Sequence, residues 1–338
     1  MIKNKNIFPI LNEIKKNKCL VIRLSSLGDV IITTAFLRCF KNKHPDLQVD
    51  FLVKEQYADV LKFNPNINRV FIYPADNKTE NLIKNLKNEN YGEIIDLQNN
   101  FRSRSLTSKL NARIYSYKKP SLKKFLLVNF KINLYTGIKT VLQMYCEARP
   151  GVKYDGAPPE IYCAGTDIIK PKNKLVVLCP GSKHFSKMWP EKYYLELSKM
   201  LTSNGFSVFV TGGSSDKQIC NYISENNPEV KDYSNNNVLS ETAGVINIAD
   251  AVVCNDSGLM HIASALGRKG FAVFGSSVRE FGFAPAGNLE IVENVNLKCR
   301  PCSHTGKSAC PKKHFKCMKE ILPEIIFEKL NNLLNGKN

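Results

Sequence analysis

The chain has 338 residues, 43% of them hydrophobic, and a formal net charge of +18. This length exceeds the size at which one core keeps growing, so two domains are expected and disorder is excluded. No stretch approaches the ~18 consecutive apolar residues of a membrane-spanning helix, so we expect no such helix. The eleven cysteines occur without an export signal, which predicts reduced thiols and a cytoplasmic location.

Residues 1–18 lack the continuous apolar core of a secretory signal. Ile7, Ile10, Leu11 and Ile14 fall at helical spacing, which predicts a short amphipathic helix that caps the first domain. This interpretation is favoured over a membrane anchor, and no role is assigned to the helix.

Short apolar runs alternate with longer amphipathic ones from Cys19 onward, and the same pattern restarts at Lys174. Strand and helix alternation of this kind is typical of a parallel sheet, so the fold class is α/β with two Rossmann-like domains. Glycines and prolines interrupt residues 147–173 and predict a linker beside a cleft. The expected divisions are 1–155, 170–320 and a C-terminal helix at 321–338, which could pack against either domain.

The first strand runs into a turn of small residues, Ser25 to Asp29, after which a helix begins. Such a turn lets a ligand approach the backbone and places the Asp29 carboxylate at the helix start. An ordinary helix cap explains the same pattern equally well.

Three strands of the second half end in loops that could contact a ligand. Residues 255–261 (Asn-Asp-Ser-Gly-Leu-Met-His) open a helix whose free amides suit a diphosphate. Residues 180–190 carry two lysines and a histidine, and a cation there can neutralise a departing phosphate. Residues 211–216 form a glycine turn ending in Asp216, which could meet a ribose or base.

Residues 102–139 contain ten lysines and arginines and neither aspartate nor glutamate. Such a segment faces either a negative partner or solvent. A functional role, in binding an anionic partner or an anionic membrane surface, is ranked slightly above a solvated basic surface.

Four sequence motifs occur in the order seen in the lipopolysaccharide heptosyltransferases of glycosyltransferase family 9. They are residues 23–30, 180–190, 239–243 and 255–261. The chain resembles this family over about residues 19–330. The resemblance implies a GT-B fold, with the acceptor on the N-terminal domain and a nucleotide sugar on the C-terminal one. It also implies an inverting, metal-independent transfer without a cofactor, from a nucleotide-diphosphate sugar such as ADP-heptose to an anionic lipopolysaccharide core. The enzyme is then expected in the cytoplasm, with peripheral contact at the inner face of the inner membrane.

The resemblance also implies roles for individual residues. Asp29 matches the general base and Lys187 a donor-phosphate contact, and these two are the catalytic candidates. The donor-binding candidates are Ser182, Lys183, Lys187, Asp216, Asp256, Ser257, Gly258, Leu259 and His261. The acceptor-binding candidates are Ser26, Gly28, Asp96, Asn99, Arg102 and Arg104. Two departures from the family are the 18 or so residues before the first strand and Gly275-Ser276-Ser277 in place of Gly-Pro-Thr.

Cys299, Cys302, Cys310 and Cys317 have spacing compatible with a tetrahedral structural zinc site, and two histidines lie between them. A reduced cysteine segment without metal is the favoured interpretation, and no metal ligand is assigned.

Two other function classes remain open from the residues alone. A nucleotide-dependent oxidoreductase would use the same Rossmann-like domains, but Gly212-Gly213 lacks the G-x-G-x-x-G spacing. A basic nucleic-acid-binding protein would explain the charge, but no recognised module is present. We therefore expect no nucleic-acid partner.

Overall fold

The computed structural model describes residues 17–162, 167–234 and 238–336. The amphipathic helix expected from Ile7 to Ile14 lies outside these residues.

The N-terminal half forms a sheet of five parallel strands in the order β3-β2-β1-β4-β5. The strands are β1 (Lys18–Ile22), β2 (Gln48–Lys54), β3 (Arg69–Tyr73), β4 (Glu93–Asp96) and β5 (Arg113–Ser116). The helices of this half are α1 (Leu27–Lys43), α2 (Glu80–Asn88), α3 (Phe101–Thr107), α4 (Ser121–Phe130) and α5 (Val141–Cys146).

The C-terminal half forms a second parallel sheet, of six strands in the order β11-β10-β9-β6-β7-β8. Its strands are β6 (Leu175–Cys179), β7 (Ser207–Val210), β8 (Val230–Asp232), β9 (Ala251–Asn255), β10 (Gly270–Phe274) and β11 (Leu289–Glu293). Its helices are α6 (Glu191–Ser203), α7 (Lys217–Asn226), α8 (Leu239–Asn247), α9 (Gly258–Ala265), α10 (Lys316–Lys319) and α11 (Pro323–Asn335). The predicted α/β class with two parallel sheets is confirmed.

The central strands β6 and β9 are buried along their whole length. Both are continuous apolar runs, which is the pattern expected of parallel strands covered by helices on both faces. Pairing aligns Cys179 with Cys254, so the loops after β6 and β9 leave the sheet side by side. The two loops with predicted phosphate contacts therefore meet at one edge.

Helix α1 packs against α5 and against α9 of the other half. One apolar cluster runs through both halves and includes Val30 and Ile31 of α1 with Leu259 and Met260 of α9. This double burial explains why α1 is apolar on more than one face. Because α1 and α9 both begin at the carboxyl ends of their strands, their N-termini lie at the same cleft.

Arg38 of α1 holds the segment that leads from the first half to the second. Its guanidinium bonds both carboxylate oxygens of Asp155, at 2.7 and 3.0 Å, and lies 2.8 Å from Glu160. The Glu160 amide also donates to the Thr34 hydroxyl at 2.7 Å. Residues 155–160 are thus bound along α1.

Helix α11 packs against α6 and β10 of the C-terminal half. Ile326, Leu330 and Leu334 of α11 are buried there. This contact decides the question that the sequence left open, namely which domain the last helix joins.

Candidate active site

A cleft of about 1620 Å³ separates the two halves and is lined by loops and helices from both. Asp29 lies on its N-terminal wall, and Lys187 with the start of α9 lies on its C-terminal wall. The carboxyl ends of both parallel sheets thus supply the chemistry-bearing side chains, as expected for open α/β sheets.

Asp29 occupies the third position of α1, behind the N-cap Ser26. Its Oδ1 lies 2.7 Å from the Arg23 guanidinium and accepts the Tyr145 hydroxyl at 3.0 Å. Its Oδ2 accepts the Ser26 amide at 3.2 Å and the Ser26 hydroxyl at 2.8 Å. Burial opposes ionisation, but Arg23 and these donors outweigh it and hold the pKa of Asp29 below its ordinary value.

The turn that carries Asp29 is supported from the neighbouring strand. Gln98, which follows β4, accepts the amides of Leu24 and Ser25 with its side-chain oxygen, at 3.0 and 3.2 Å. Arg23 is also buried and donates to the Leu97 carbonyl at 2.7 Å. The sequence did not predict the contacts of Arg23 and Tyr145 with Asp29, although Arg23 lies in the motif at residues 23–30.

On the opposite wall, Lys187 lies 2.8 Å from the buried Asp256 carboxylate. Asp256 also accepts the Ser277 hydroxyl. Burial alone would raise the pKa of Asp256. Lys187 and the Ser277 hydrogen bond outweigh burial and hold this pKa below its ordinary value, so the carboxyl stays ionised. Asp256 thus holds the Lys187 ammonium in the cleft and is itself turned to protein partners.

Ser257 is the N-cap of α9, and the hydroxyl of Ser257 is buried without a hydrogen-bond partner in the described part of the chain. Ser257, Gly258, Leu259 and His261 all line the cleft. The first amides of the eight-residue helix α9 therefore face the space beside Lys187, which is the arrangement that binds phosphate.

The His261 side chain, on α9 of the C-terminal half, contacts α1 of the N-terminal half. Its ring lies against Gly28, where a Cβ atom would stand 2.5 Å from His261 Cδ2. Burial lowers the pKa of His261 to about 4, so the imidazole is neutral near pH 7. The absence of a side chain at Gly28 therefore allows α1 and α9 to pack closely.

The loop after β6 is fixed at both ends by Asn255. Its amide nitrogen donates to the Pro180 carbonyl at 2.6 Å, and its oxygen accepts the Trp189 amide at 2.9 Å. Ser182, Lys183, His184 and Lys187 of this loop line the cleft.

Asp216 also lines the cleft and packs against two glycines. A Cβ at Gly181 would stand 2.0 Å from the Asp216 carboxyl carbon, and one at Gly212 would stand 2.6 Å from Asp216 Cβ. The Asp216 carboxylate accepts the Gly213 amide at 2.9 Å, and burial raises its pKa. All nine donor-binding candidates therefore line one cleft.

Only some of the acceptor-binding candidates line the cleft. Ser26 and Gly28 line the cleft, whereas Asp96, Asn99, Arg102 and Arg104 are not among its lining residues. The buried Asp96 carboxylate accepts the Asn99 amide at 2.7 Å and the Ser103 hydroxyl at 2.8 Å, so it organises the loop before α3.

Lys119 and Lys124 are the cations that the acid-free segment places in the cleft. Lys119 donates to the Asn99 carbonyl at 3.1 Å, and Lys124 lies over the Phe283 ring, 5.2 Å from its centroid. Burial lowers the pKa of both ammonium groups, and both interact with the charge of Asp29. A count of charges along the segment could not distinguish these two from their neighbours.

Comparison with known proteins agrees with this geometry. The sequence profile described as glycosyltransferase family 9 (heptosyltransferase) matches residues 79–313. The chain belongs to glycosyltransferase family 9.

Relatives of the chain carry related names. Lipooligosaccharide heptosyltransferase 2 of Campylobacter jejuni is 28% identical over 177 residues, which are 51% of this chain and 54% of the relative. The match thus spans about half the length of that relative. Lipopolysaccharide heptosyltransferase 2 of Salmonella typhimurium is 22% identical over 350 aligned positions, which cover 94% of this chain and 99% of the relative.

The solved structure of Escherichia coli ADP-heptose lipopolysaccharide heptosyltransferase II superimposes with a TM-score of 0.74 at 18% identity, covering 95% of this chain and 99% of that one. At this identity the likeness establishes the fold. The family resemblance and the GT-B fold predicted from the four sequence motifs are therefore confirmed.

Residues 299–317 form a cysteine-rich segment that contacts the loop after β6, which carries Lys187. Within residues 17–162, 167–234 and 238–336, no group of three or more His, Cys, Asp or Glu side chains is arranged to hold a metal ion. Cys299 lies 3.9 Å from the His314 ring, and Cys310 accepts the Phe315 amide at 3.4 Å.

The same segment supports the Lys187 loop through its backbone. The Ser186 amide donates to the Lys307 carbonyl at 3.0 Å, and the Lys307 amide donates to the Ser186 hydroxyl at 2.8 Å. His304 and Thr305 also reach the cleft lining. Sequence reasoning missed this contribution.

Proposed function

We propose that the protein transfers a heptose from ADP-heptose to an acceptor hydroxyl of a lipopolysaccharide core, with inversion at the anomeric carbon. One observation carries this proposal: Asp29 faces, across a single cleft, the Lys187 ammonium and the α9 N-terminus. A carboxylate suited to accept a proton thus lies opposite groups suited to a diphosphate. The named relatives support the sugar, and the name of the Escherichia coli structure supports the donor.

The reaction begins with the acceptor hydroxyl at Asp29. Both Asp29 oxygens already accept two hydrogen bonds, so the incoming hydroxyl replaces one donor. The Ser26 hydroxyl is the donor at the exposed end of the site and gives way most readily. The acceptor oxygen then attacks the anomeric carbon while its proton moves to Asp29 Oδ2.

The bond from the anomeric carbon to the β-phosphate oxygen breaks as the new bond forms. Attack comes from the face opposite the leaving group, which inverts the configuration. The Lys187 ammonium and the first amides of α9 stabilise the charge on the released nucleoside diphosphate.

The acceptor side is cationic because Lys119 and Lys124 flank Asp29. These two ammonium groups suit the phosphates and acidic sugars of a lipopolysaccharide precursor. We assign the protein to the cytoplasm, with peripheral contact at the inner face of the inner membrane where such an acceptor is held.

The proposal is tested by release of nucleoside diphosphate from ADP-heptose in the presence of a delipidated core acceptor. Asp29→Ala is expected to lower turnover by ~10²–10⁴, as for a lost general base, while ADP binding measured by calorimetry stays nearly unchanged. Asp46→Ala, at an exposed carboxylate beyond α1, is the matched control. Undiminished turnover in Asp29→Ala would remove Asp29 from the mechanism, and no release with any sugar nucleotide would remove the proposed function.

A further inference from the structure

Five apolar side chains on α4 and the segment that follows it are uncovered. Leu122, Phe130, Ile132, Leu134 and Ile138 are between 45% and 68% exposed. We call these five residues the α4 surface. Several large apolar groups exposed along one short segment mark a surface that binds a partner or a membrane.

The segment that carries these side chains is anchored to the rest of the protein. Lys131 donates to the Pro301 carbonyl at 2.5 Å and to the Val128 carbonyl at 2.9 Å. Asn133 donates to Glu280 at 3.3 Å. The α4 surface is therefore displayed on a fixed backbone.

The charge around the α4 surface is mostly positive. Lys118 and Lys123 are exposed, and residues 102–139 contain no carboxylate. Of the nearby acids, Glu280 accepts Asn133 and Glu147 pairs with Lys139. Neither Lys118 nor Lys123 forms a salt bridge within the described residues, and both lie on the segment that carries the exposed apolar groups. A partner that suits this surface offers negative charge and an apolar interior.

The α4 surface borders the active-site cleft. Ser121, Lys124, Phe125, Val128 and Asn129, on the same helix, line the cleft. A molecule held against the outer side of α4 is therefore separated from the active-site cleft by the width of this helix, about 10 Å.

We propose that the α4 surface binds an anionic lipid bilayer, with its apolar side chains in the headgroup region and its lysines on the anionic headgroups. This inference rests on the proposed function and deepens it, because it states where the enzyme meets a lipid-linked acceptor. Among the described residues, no helix has the length and apolar character to cross a bilayer, so the contact is at the interface. Combined apolar insertion and a basic cluster are the two signals that stable peripheral binding requires. A second copy of the chain fits less well, since two α4 surfaces would bring like charges together.

Sedimentation with vesicles tests the proposal. Vesicles of phosphatidylglycerol and phosphatidylethanolamine are compared with vesicles of phosphatidylcholine alone, using the full chain without donor or acceptor. The triple variant Leu122→Ser/Leu134→Ser/Ile138→Ser is expected to lose about tenfold or more in partitioning to anionic vesicles. Lys118→Gln/Lys123→Gln is expected to lose about thirtyfold, since each lysine near an anionic surface contributes roughly a factor of five.

Matched controls come from elsewhere on the surface. Ile169→Ser/Val295→Ser/Leu322→Ser removes exposed apolar groups of similar size, and Lys172→Gln/Lys199→Gln removes two exposed lysines. Both controls are expected to bind anionic vesicles as the unaltered chain does. Equal loss in the controls and the α4 variants, or equal binding to phosphatidylcholine, would overturn the proposal.

Two readouts separate this proposal from its alternatives. A concentration-dependent dimer in light scattering that disappears in the triple variant, without vesicle binding, would assign the α4 surface to a second copy. Turnover of a delipidated acceptor is expected to be unchanged in the triple variant, because none of its residues lines the cleft. Vesicle binding is measured without catalysis, so failure of the transfer reaction leaves this test intact.

Discussion

The Arg23 guanidinium lies 2.7 Å from the Asp29 carboxylate at the wall of the cleft, and the two side chains are 9% and 12% exposed. The pair sets the protonation of the proposed base. Removal of Arg23 leaves burial as the main influence on Asp29, and burial raises the pKa of a carboxyl. Tyr145, His261, Lys119 and Lys124 also face this carboxylate, so a variant must leave them in place.

Arg23→Gln is expected to move the acidic limb of the kcat/KM profile to higher pH. Asp29 accepts a proton only when ionised, and its lowered pKa keeps it ionised well below neutral pH in the unaltered chain. Arg23→Lys retains the charge and is the matched control, with a smaller shift expected. An acidic limb at the same pH in both variants would show that Arg23 does not tune Asp29.

The Lys187 and Asp256 pair predicts a non-additive effect on donor binding. Lys187→Met is expected to weaken ADP binding and turnover, because the ammonium is lost and the buried Asp256 carboxylate is left without its cation. Asp256→Asn is expected to weaken ADP binding by a smaller factor, since Lys187 is then less well positioned.

The double variant Lys187→Met/Asp256→Asn is expected to bind ADP no more weakly than Lys187→Met alone. Coupling of this kind is the signature of residues in direct contact. Calorimetry of ADP binding with all four proteins measures it. Additive losses would mean that Asp256 contacts the donor itself, as the motif alone predicted.

His261 predicts a dependence of stability on pH. Its pKa is about 4 in the folded chain against an ordinary value of 6.5, so the unfolded chain binds a proton that the folded chain excludes between these values. Stability is therefore expected to fall as pH decreases through this window, by about 2 kcal/mol at pH 5 from this residue. Denaturant unfolding at pH 5 and pH 7.5 is expected to show a smaller difference in His261→Gln, and an equal difference would exclude His261 as the cause.

Much of the site was predictable because it is local in sequence. Asp29, Lys187 and His261 stand in the loop or in the first turns of the helix that follows a strand, and parallel strands bring such segments to one edge. Tyr145 was not predictable, because it reaches Asp29 from 116 residues away along the chain. The pairing depends on how α5 packs against α1, and no local pattern reports that packing.

The acid-free segment shows a different limit of sequence reasoning. Its charge count indicated an anionic partner but did not show which cations face the cleft. Arg102 and Arg104 were favoured through the family resemblance, yet the Arg104 guanidinium bonds Asn99 at 2.8 Å and both arginines lie outside the cleft lining. The exposed apolar groups of the α4 surface were overlooked because the lysines dominate the segment.

The salt dependence of acceptor binding separates these cations experimentally. Attraction between an anionic acceptor and the cleft lysines is screened over roughly 8 Å at physiological salt. Raising the ionic strength is therefore expected to increase the KM for a delipidated acceptor more than the KM for donor. Lys119→Gln/Lys124→Gln is expected to raise the acceptor KM at low salt and to flatten this dependence, because both lysines line the cleft beside Asp29.

Arg102→Gln/Arg104→Gln is the matched control, since it removes two charges of the same segment from outside the cleft lining. Its effect on the acceptor KM is expected to be smaller at low salt, and its salt dependence is expected to follow that of the unaltered chain. Long-range attraction depends on distance from the bound anion, so the same change in net charge has unequal consequences at the two places. If the arginine pair flattened the salt dependence and the lysine pair did not, the acceptor would bind beside α3, and the cleft lysines would have another role.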